Sequence, residues 1–177
     1  GGSCARDQTA LLGVPAPAER PLRLDLDTGT VSFLGPPRRG KFKWLRAVRT
    51  ADGAVYCIPA NADCVLRISP TDEVTTLGRG VLPAGTWQWH GGAIGVDGCI
   101  YCIPANADRV LKIDPAGNGG AGAVELIGPV LYPGLNNKWY GGILSPDGRS
   151  IWGIPYGAPS ALKIVPETGE VVEVGNF

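Results

Sequence analysis

The sequence predicts an all-β fold: a β-propeller of about four four-stranded antiparallel blades, forming a closed four-bladed disc or a segment of a larger propeller. Three observations predict it. The first is a recurring stretch: WLRAVRTADGAVYCIPANADCVLRISPTDEVTTLG over 44–78, WHGGAIGVDGCIYCIPANADRVLKIDPAGNGGAGAVELIG over 89–128, and WYGGILSPDGRSIWGIPYGAPSALKIVPETGEVVEVG over 139–175. A more worn copy occupies 1–35, where Gly1-Gly2 matches Gly141-Gly142 and Val14-Pro15 holds the place of Ile154-Pro155. A unit repeated at a fixed period can bury its apolar face only against its neighbours. The second is the period, since the Ile/Val-Pro steps end at Pro15, Pro59, Pro104 and Pro155, matching the ~40–50 residues of a propeller blade. The third is composition: 27 Gly and 16 Pro exclude long helices, while short β-branched runs recur.

Within a unit the elements follow in order. The first strand is Gly-Gly-Ile-Leu at 141–144, small residues that suit an innermost strand where blades crowd the axis. Asp52-Gly53, Asp97-Gly98 or Asp147-Gly148 then makes a tight hairpin turn. The second strand runs from Val55 to Ile58, Ile100 to Ile103 or Ile151 to Ile154, and a Pro closes it. The third, such as Val110-Leu111-Lys112-Ile113, alternates with period two. A second tight turn (Asp27-Thr28-Gly29, Glu167-Thr168-Gly169) leads to a fourth strand such as Val171 to Val174. A β-helix or open solenoid has shorter rungs and lacks a hairpin at every corner.

The 177 residues read as a single domain, 1–177, with no shift of composition. Sixteen basic and sixteen acidic residues leave no net field for nucleic acid, and no apolar run is long enough for a transmembrane segment. No leader of the signal-peptide type is visible, and Met is absent. The expectation is a mature or truncated chain whose location, organellar or secreted, is unknown. Five cysteines do not form a disulfide framework; Cys57 with Cys64, across a hairpin, is the one pair that could bridge, and buried free thiols are favoured.

The string GGxLxPDGxIYxIPxNAxxVLxIDPxTGxV, matched most closely at 89–128 and 139–175, resembles a β-propeller repeat of the algal or protist type, distantly similar to NHL and Kelch-type propellers. The resemblance covers essentially the whole chain and departs at 46–47, where Arg46-Ala47 replaces the Gly pair. It implies a binding scaffold. Related propellers also include lactonases and other hydrolases, so the fold alone does not exclude chemistry.

Strand order assigns loops to faces. The tight turns share one face; the Ile-Pro-Ala-Asn-Ala-Asp segments and the crossovers 36–43, 79–88 and 129–138 share the other. Long loops on a rigid scaffold are where function concentrates. This crossover face is expected to carry Trp44, Trp87, Trp89, Trp139, Tyr132 and Tyr140 beside Asn136 and Asn137. Aromatics beside amides could grip a peptide or sugar, although a Trp recurring at one place in three repeats more often plugs adjacent blades. Asn61, Asp63, Asn106 and Asp108 form the one acidic-amide set able to hold a cation, calcium by ligand type. The same residues also read as turn formers capping their own backbone. No cofactor is otherwise implied.

His90 is the only histidine, without a second zinc ligand or an evident triad partner, and no G-x-S-x-G elbow or Walker loop occurs. Arg23, Arg67, Lys112 and Lys163 recur at one strand position and read as scaffold. The run Arg38, Arg39, Lys41, Lys43, Trp44, Arg46 belongs to one repeat only, and it suits an acidic protein surface. The expected contact set is therefore this run with Trp87, Trp89, His90, Asn136, Asn137, Lys138, Trp139 and Tyr140. The expected function is a non-catalytic structural or protein-interaction module, a subunit of a larger assembly. The alternatives are a lactonase-like hydrolase with an axial metal, and a carbohydrate- or peptide-binding propeller.

Overall fold

The computed structural model describes residues 2–4 and 9–176, with side chains from residue 9 onward. Sixteen strands form four antiparallel sheets, each in sequential order. The first holds β1 (Gly2–Cys4), β2 (Ala10–Gly13), β3 (Leu22–Asp25) and β4 (Val31–Phe33); the second holds β5 (Trp44–Arg49), β6 (Val55–Pro59), β7 (Val65–Ile68) and β8 (Val74–Leu77). The third holds β9 (Trp89–Ile94), β10 (Ile100–Pro104), β11 (Val110–Asp114) and β12 (Ala123–Ile127), and the fourth β13 (Trp139–Leu144), β14 (Ile151–Pro155), β15 (Ala161–Val165) and β16 (Glu170–Val174). These are the four expected blades. β1 packs on β5, β5 on β9 and β9 on β13, so each blade lies face to face with the next.

The hairpin loops differ in one detail from expectation. Thr50 N–H bonds to the Ala54 carbonyl at 2.9 Å, which leaves three residues in the loop instead of two, with Gly53 at φ 93°. A three-residue loop of this kind needs a left-handed residue at its end, and glycine supplies it. The aspartates cap the loops: the Asp147 carboxylate accepts from the Arg149 N–H at 3.0 Å and the Ser145 hydroxyl at 2.5 Å. These bonds to the charged form hold its pKa below the usual carboxylate value.

The glycine pairs do what the innermost position requires. A Cβ on Gly142 would lie 2.7 Å from the Gly92 Cα, and one on Gly91 would lie 2.4 Å from the Gly141 carbonyl oxygen. Backbone meets backbone where β9 and β13 approach the axis. Gly1, the first member of the expected pair in the worn copy, lies outside the described residues.

Between blades the core is built from two unlike faces. The forward face of one blade offers Tyr56, Ile58 and Val65, or Tyr101, Ile103 and Val110; the rear face of the next offers Ile100, Cys102, Leu111 and Ile113, or Ile151, Leu162 and Ile164. The recurrent basic residue stands over the forward aromatic. Arg67 lies 6.0 Å from the Tyr56 ring centre, Lys112 5.8 Å from Tyr101 and Lys163 5.9 Å from Trp152, cation–π geometry that also covers the ring with an aliphatic stem. Cys57, Cys64, Cys99 and Cys102 are free and buried, and burial pushes the Cys57 thiol up to about 12 and Cys64 to about 11. Such thiols are packing groups, not nucleophiles.

Candidate functional site

The crossover face rests on a ring-wise relay of backbone hydrogen bonds. Lys43 accepts from Ala60 N–H, Gln88 donates to Ala60 and accepts from Ala105, and Lys138 donates to Ala105 and accepts from Tyr156, each at 2.8–2.9 Å. Polar residues at 43, 88 and 138 are buried because they sit inside this relay. Lys43 Nζ donates to the carbonyls of Ala16 (3.1 Å), Ala18 (3.0 Å) and Gly40 (2.8 Å). Lys138 is 0% exposed, and its Nζ donates to the Leu135 carbonyl at 2.9 Å. Desolvation draws both lysines' pKa values down, against the pull of Glu19 on one and Asp108 on the other.

The next residue in each repeat is the tryptophan plug. Trp44, Trp89 and Trp139 are buried, and their indole N–H groups donate to the carbonyls of Cys64 (2.8 Å), Arg109 (3.0 Å) and Ser160 (2.6 Å). A buried indole finds a partner for its N–H, and here the partner is always in its own blade. Lys43, Trp44, Trp89, Lys138 and Trp139, expected as exposed contacts, are all buried within the chain. They are scaffold.

Three of the four acidic-amide residues are engaged within the chain. Asn61 donates its amide to the Lys41 carbonyl at 3.1 Å and accepts from Trp87 N–H at 2.8 Å. Asn106 repeats this with Thr86 (2.8 Å) and Asn137 (2.8 Å). Each asparagine thus staples its own blade's crossover to the next blade's. Asp63 pairs with Arg79 at 2.8 Å. Among the described residues no group of three or more His, Cys, Asp or Glu could hold a metal ion. Both amides and the Asp63 carboxylate thus have partners within the chain.

What remains on this face is organised by the inner strands. β5, β9 and β13 each carry a register irregularity near the start, between Trp44 and Arg46 in β5, opposite Cys102–Pro104 in β9, and between Tyr140 and Ile143 in β13. Bulges of this kind re-aim side chains beside functional sites. Arg46 holds the place of Gly91 and Gly141, and its side chain is exposed. On the neighbouring strand the His90 ring lies 4.3 Å from Tyr140, and Tyr140 stacks on Tyr156 at 4.9 Å. Tyr140 Oη donates to Asn137 Oδ1 at 2.9 Å. Burial lowers the His90 pKa, with the Arg46 charge acting in the same direction, which favours the neutral imidazole. Its Nδ1 is buried without a hydrogen-bond partner.

Two flanking features complete the surface. Phe42 and Trp87 are exposed, their rings 5.2 Å apart, and both have left-handed backbones at φ 53° and 54°. That conformation is uncommon for bulky residues. Asn137 holds the same place in the next repeat at φ 54°, so the strain is a property of the crossover. Beside Phe42, Arg38, Arg39, Lys41 and Arg79 line a cleft of about 530 Å³. Tyr156 escaped the sequence reading. Tyr156 stands where Ala60 and Ala105 are buried, and that break in the repeat was the signal for it.

No family model and no curated protein matches the sequence. Solved structures do. A catalytically inactive variant of virginiamycin B lyase from Staphylococcus aureus, determined with quinupristin, superposes with a TM-score of 0.72 at 19% identity, over 99% of this chain and 54% of that one. The hydrazine synthase of Kuenenia stuttgartiensis gives 0.69 at 18%, over 99% and 48%. An auxiliary nutrient binding protein from Bacteroides thetaiotaomicron gives 0.63 at 14%, over 97% and 46%. The chain thus spans about half the length of the structures it matches. Identities this low establish the propeller-like fold, which enzymes and binding proteins share.

Proposed function

We propose that this chain is a recognition module, a non-catalytic propeller that holds a protein partner on its crossover face. The element it takes is an acidic segment carrying an aromatic side chain. One observation carries the reading: Arg46 and His90 stand on adjacent inner strands, and the half-buried His90 and Tyr140 rings form a row that opens to solvent at Tyr156. Rigid aromatics supply contact area at low entropic cost, and a guanidinium beside them selects a carboxylate. Arg38, Arg39 and Lys41 extend the positive charge along the neighbouring cleft. A partner bound this way dissociates more readily as salt rises.

The test is titration of isotope-labelled protein with a Glu-rich peptide bearing a single Tyr. Amide resonances of Arg46, His90 and Tyr140 and the Trp87 indole are expected to shift, and Arg46→Ala is expected to weaken binding about fivefold, equivalent to ~1 kcal/mol. Unmoved resonances at these four positions overturn the proposal.

A second reading, catalysis, is favoured by the half-buried His90 ring against Tyr140, since an imidazole at the edge of this face could accept a proton from a bound substrate. His90→Phe keeps the ring row and removes the acceptor. Peptide binding retained in that variant supports recognition.

A further inference from the structure

The two end blades each leave one face uncovered, and the two faces are unlike. On the last blade the forward face is open: Ile154 is 48% exposed and Ile143 57%, whereas Ile58 and Ile103, which hold the place of Ile154, are 1% and 0% exposed. On the first blade the rear face is open. Leu11, Val31 and Phe33 are 38%, 54% and 63% exposed, whereas Val55, which holds the place of Leu11, is 1% exposed. Register groups Leu11, Leu24 and Val31 in one row and Leu22 with Phe33 in the next. Apolar rows of this kind are covered in every interior blade.

We propose that a second copy of this chain covers both faces, head to tail, so that two four-bladed arcs close one ring. Three observations favour that occupant. The open faces are the forward and rear halves of the interface already present at each internal junction, so each offers what the other lacks. Their charges also match. At the first internal junction Arg23, on a forward face, reaches Asp72 in the β7–β8 turn of the next blade at 3.6 Å. Lys163 holds the place of Arg23 in the last blade, and the corresponding turn of the first blade carries Asp25 and Asp27. Head-to-tail docking brings this lysine to those acids.

Curvature is the third. Nearly the whole chain superposes on 53–54% of two lyase structures at TM-scores of 0.71–0.72. An arc with that curvature needs about as much polypeptide again to close. Two copies supply it through two identical junctions, and the second junction forms intramolecularly once the first is made.

Mass in solution and two surface substitutions test this. Light scattering on the purified chain is expected to give twice the 18.4 kDa of one copy. Ile154→Glu removes the forward face and Phe33→Glu the rear face, so each variant alone is expected to be monomeric. Every junction needs one face of each kind, and an equimolar mixture of the two variants therefore re-forms one intact junction and associates. That rescue also shows both variants to be folded. A wild-type monomer at all concentrations overturns the proposal and leaves the faces to further blades of a longer chain. A ladder of higher oligomers overturns ring closure, and a mixture that stays monomeric overturns the head-to-tail arrangement.

Discussion

Ile103 and Ile154 occupy the same position in consecutive blades, yet one is 0% and the other 48% exposed. The residue type and register are the same, with Cys102 or Gly153 before them and a proline after. What differs is whether another described blade packs against the side chain. The contrast teaches that in this fold the sequence of a blade sets which residues could be buried, and only the neighbour decides which ones are. Stability is accordingly a sum over junctions more than over blades.

The largest expected effect separates these two isoleucines. Ile103→Ala opens a cavity in a closed junction and is expected to cost about 2–5 kcal/mol in urea unfolding. Ile154→Ala, in dilute protein, is expected to stay within about 0.5 kcal/mol, as surface changes do. Equal costs in dilute protein would break the comparison. A cost for Ile154→Ala that grows with protein concentration would sharpen it, since a partner blade would then be burying that side chain.

A middle-sized effect tests the same logic within the basic run. Lys41 and Lys43 are two residues apart and look alike in sequence, but Lys41 is exposed and Lys43 is 5% exposed with three carbonyls on its ammonium. Lys43→Ala is expected to cost about 1–3 kcal/mol, because buried carbonyls lose their donor. Lys41→Ala is expected to leave the melting temperature unchanged. The partner site is expected to respond in the opposite way, so a stability loss at Lys41 would return Lys43 and its neighbours to one solvated patch.

Much of the architecture was legible because a repeat states it several times over. The DG loops, the Ile-Pro ends and the alternating Leu-Lys-Ile strands all appear at their expected places. The site was less legible, since the same repeat disguises scaffold as function. Trp44, Trp89 and Trp139 are conspicuous residues on a loop-rich face, but their indole N–H groups turn inward to carbonyls of their own blades. Asn61 and Asn106 have the spacing of ligands and serve as staples between crossovers, a long-range role that no local pattern encodes. Arg46, His90 and Tyr156 all break the repeat, and all three lie on the crossover face. The proposed site is drawn from departures from the repeat.

The smallest effect concerns the His90 ring row and runs through pH. The folded chain lowers the His90 pKa from its ordinary 6.5, through burial first and the Arg46 charge second. The unfolded chain therefore binds a proton at this site more readily than the folded one. Stability is fully present above pH 6.5 and falls as pH drops from 6.5 toward the lower folded value, below which the loss levels off. His90→Phe keeps the ring against Tyr140 and removes the titration, so its melting temperature is expected to be flatter across this window than that of the wild type. Asp25, Asp52 and Asp147 have lowered pKa values and produce their own losses only below about 3.8, which leaves the window to the imidazole. If the two profiles coincide, the imidazole is as solvated as the Lys41 head, and the inner-strand row belongs with the open surface instead of the packed interior.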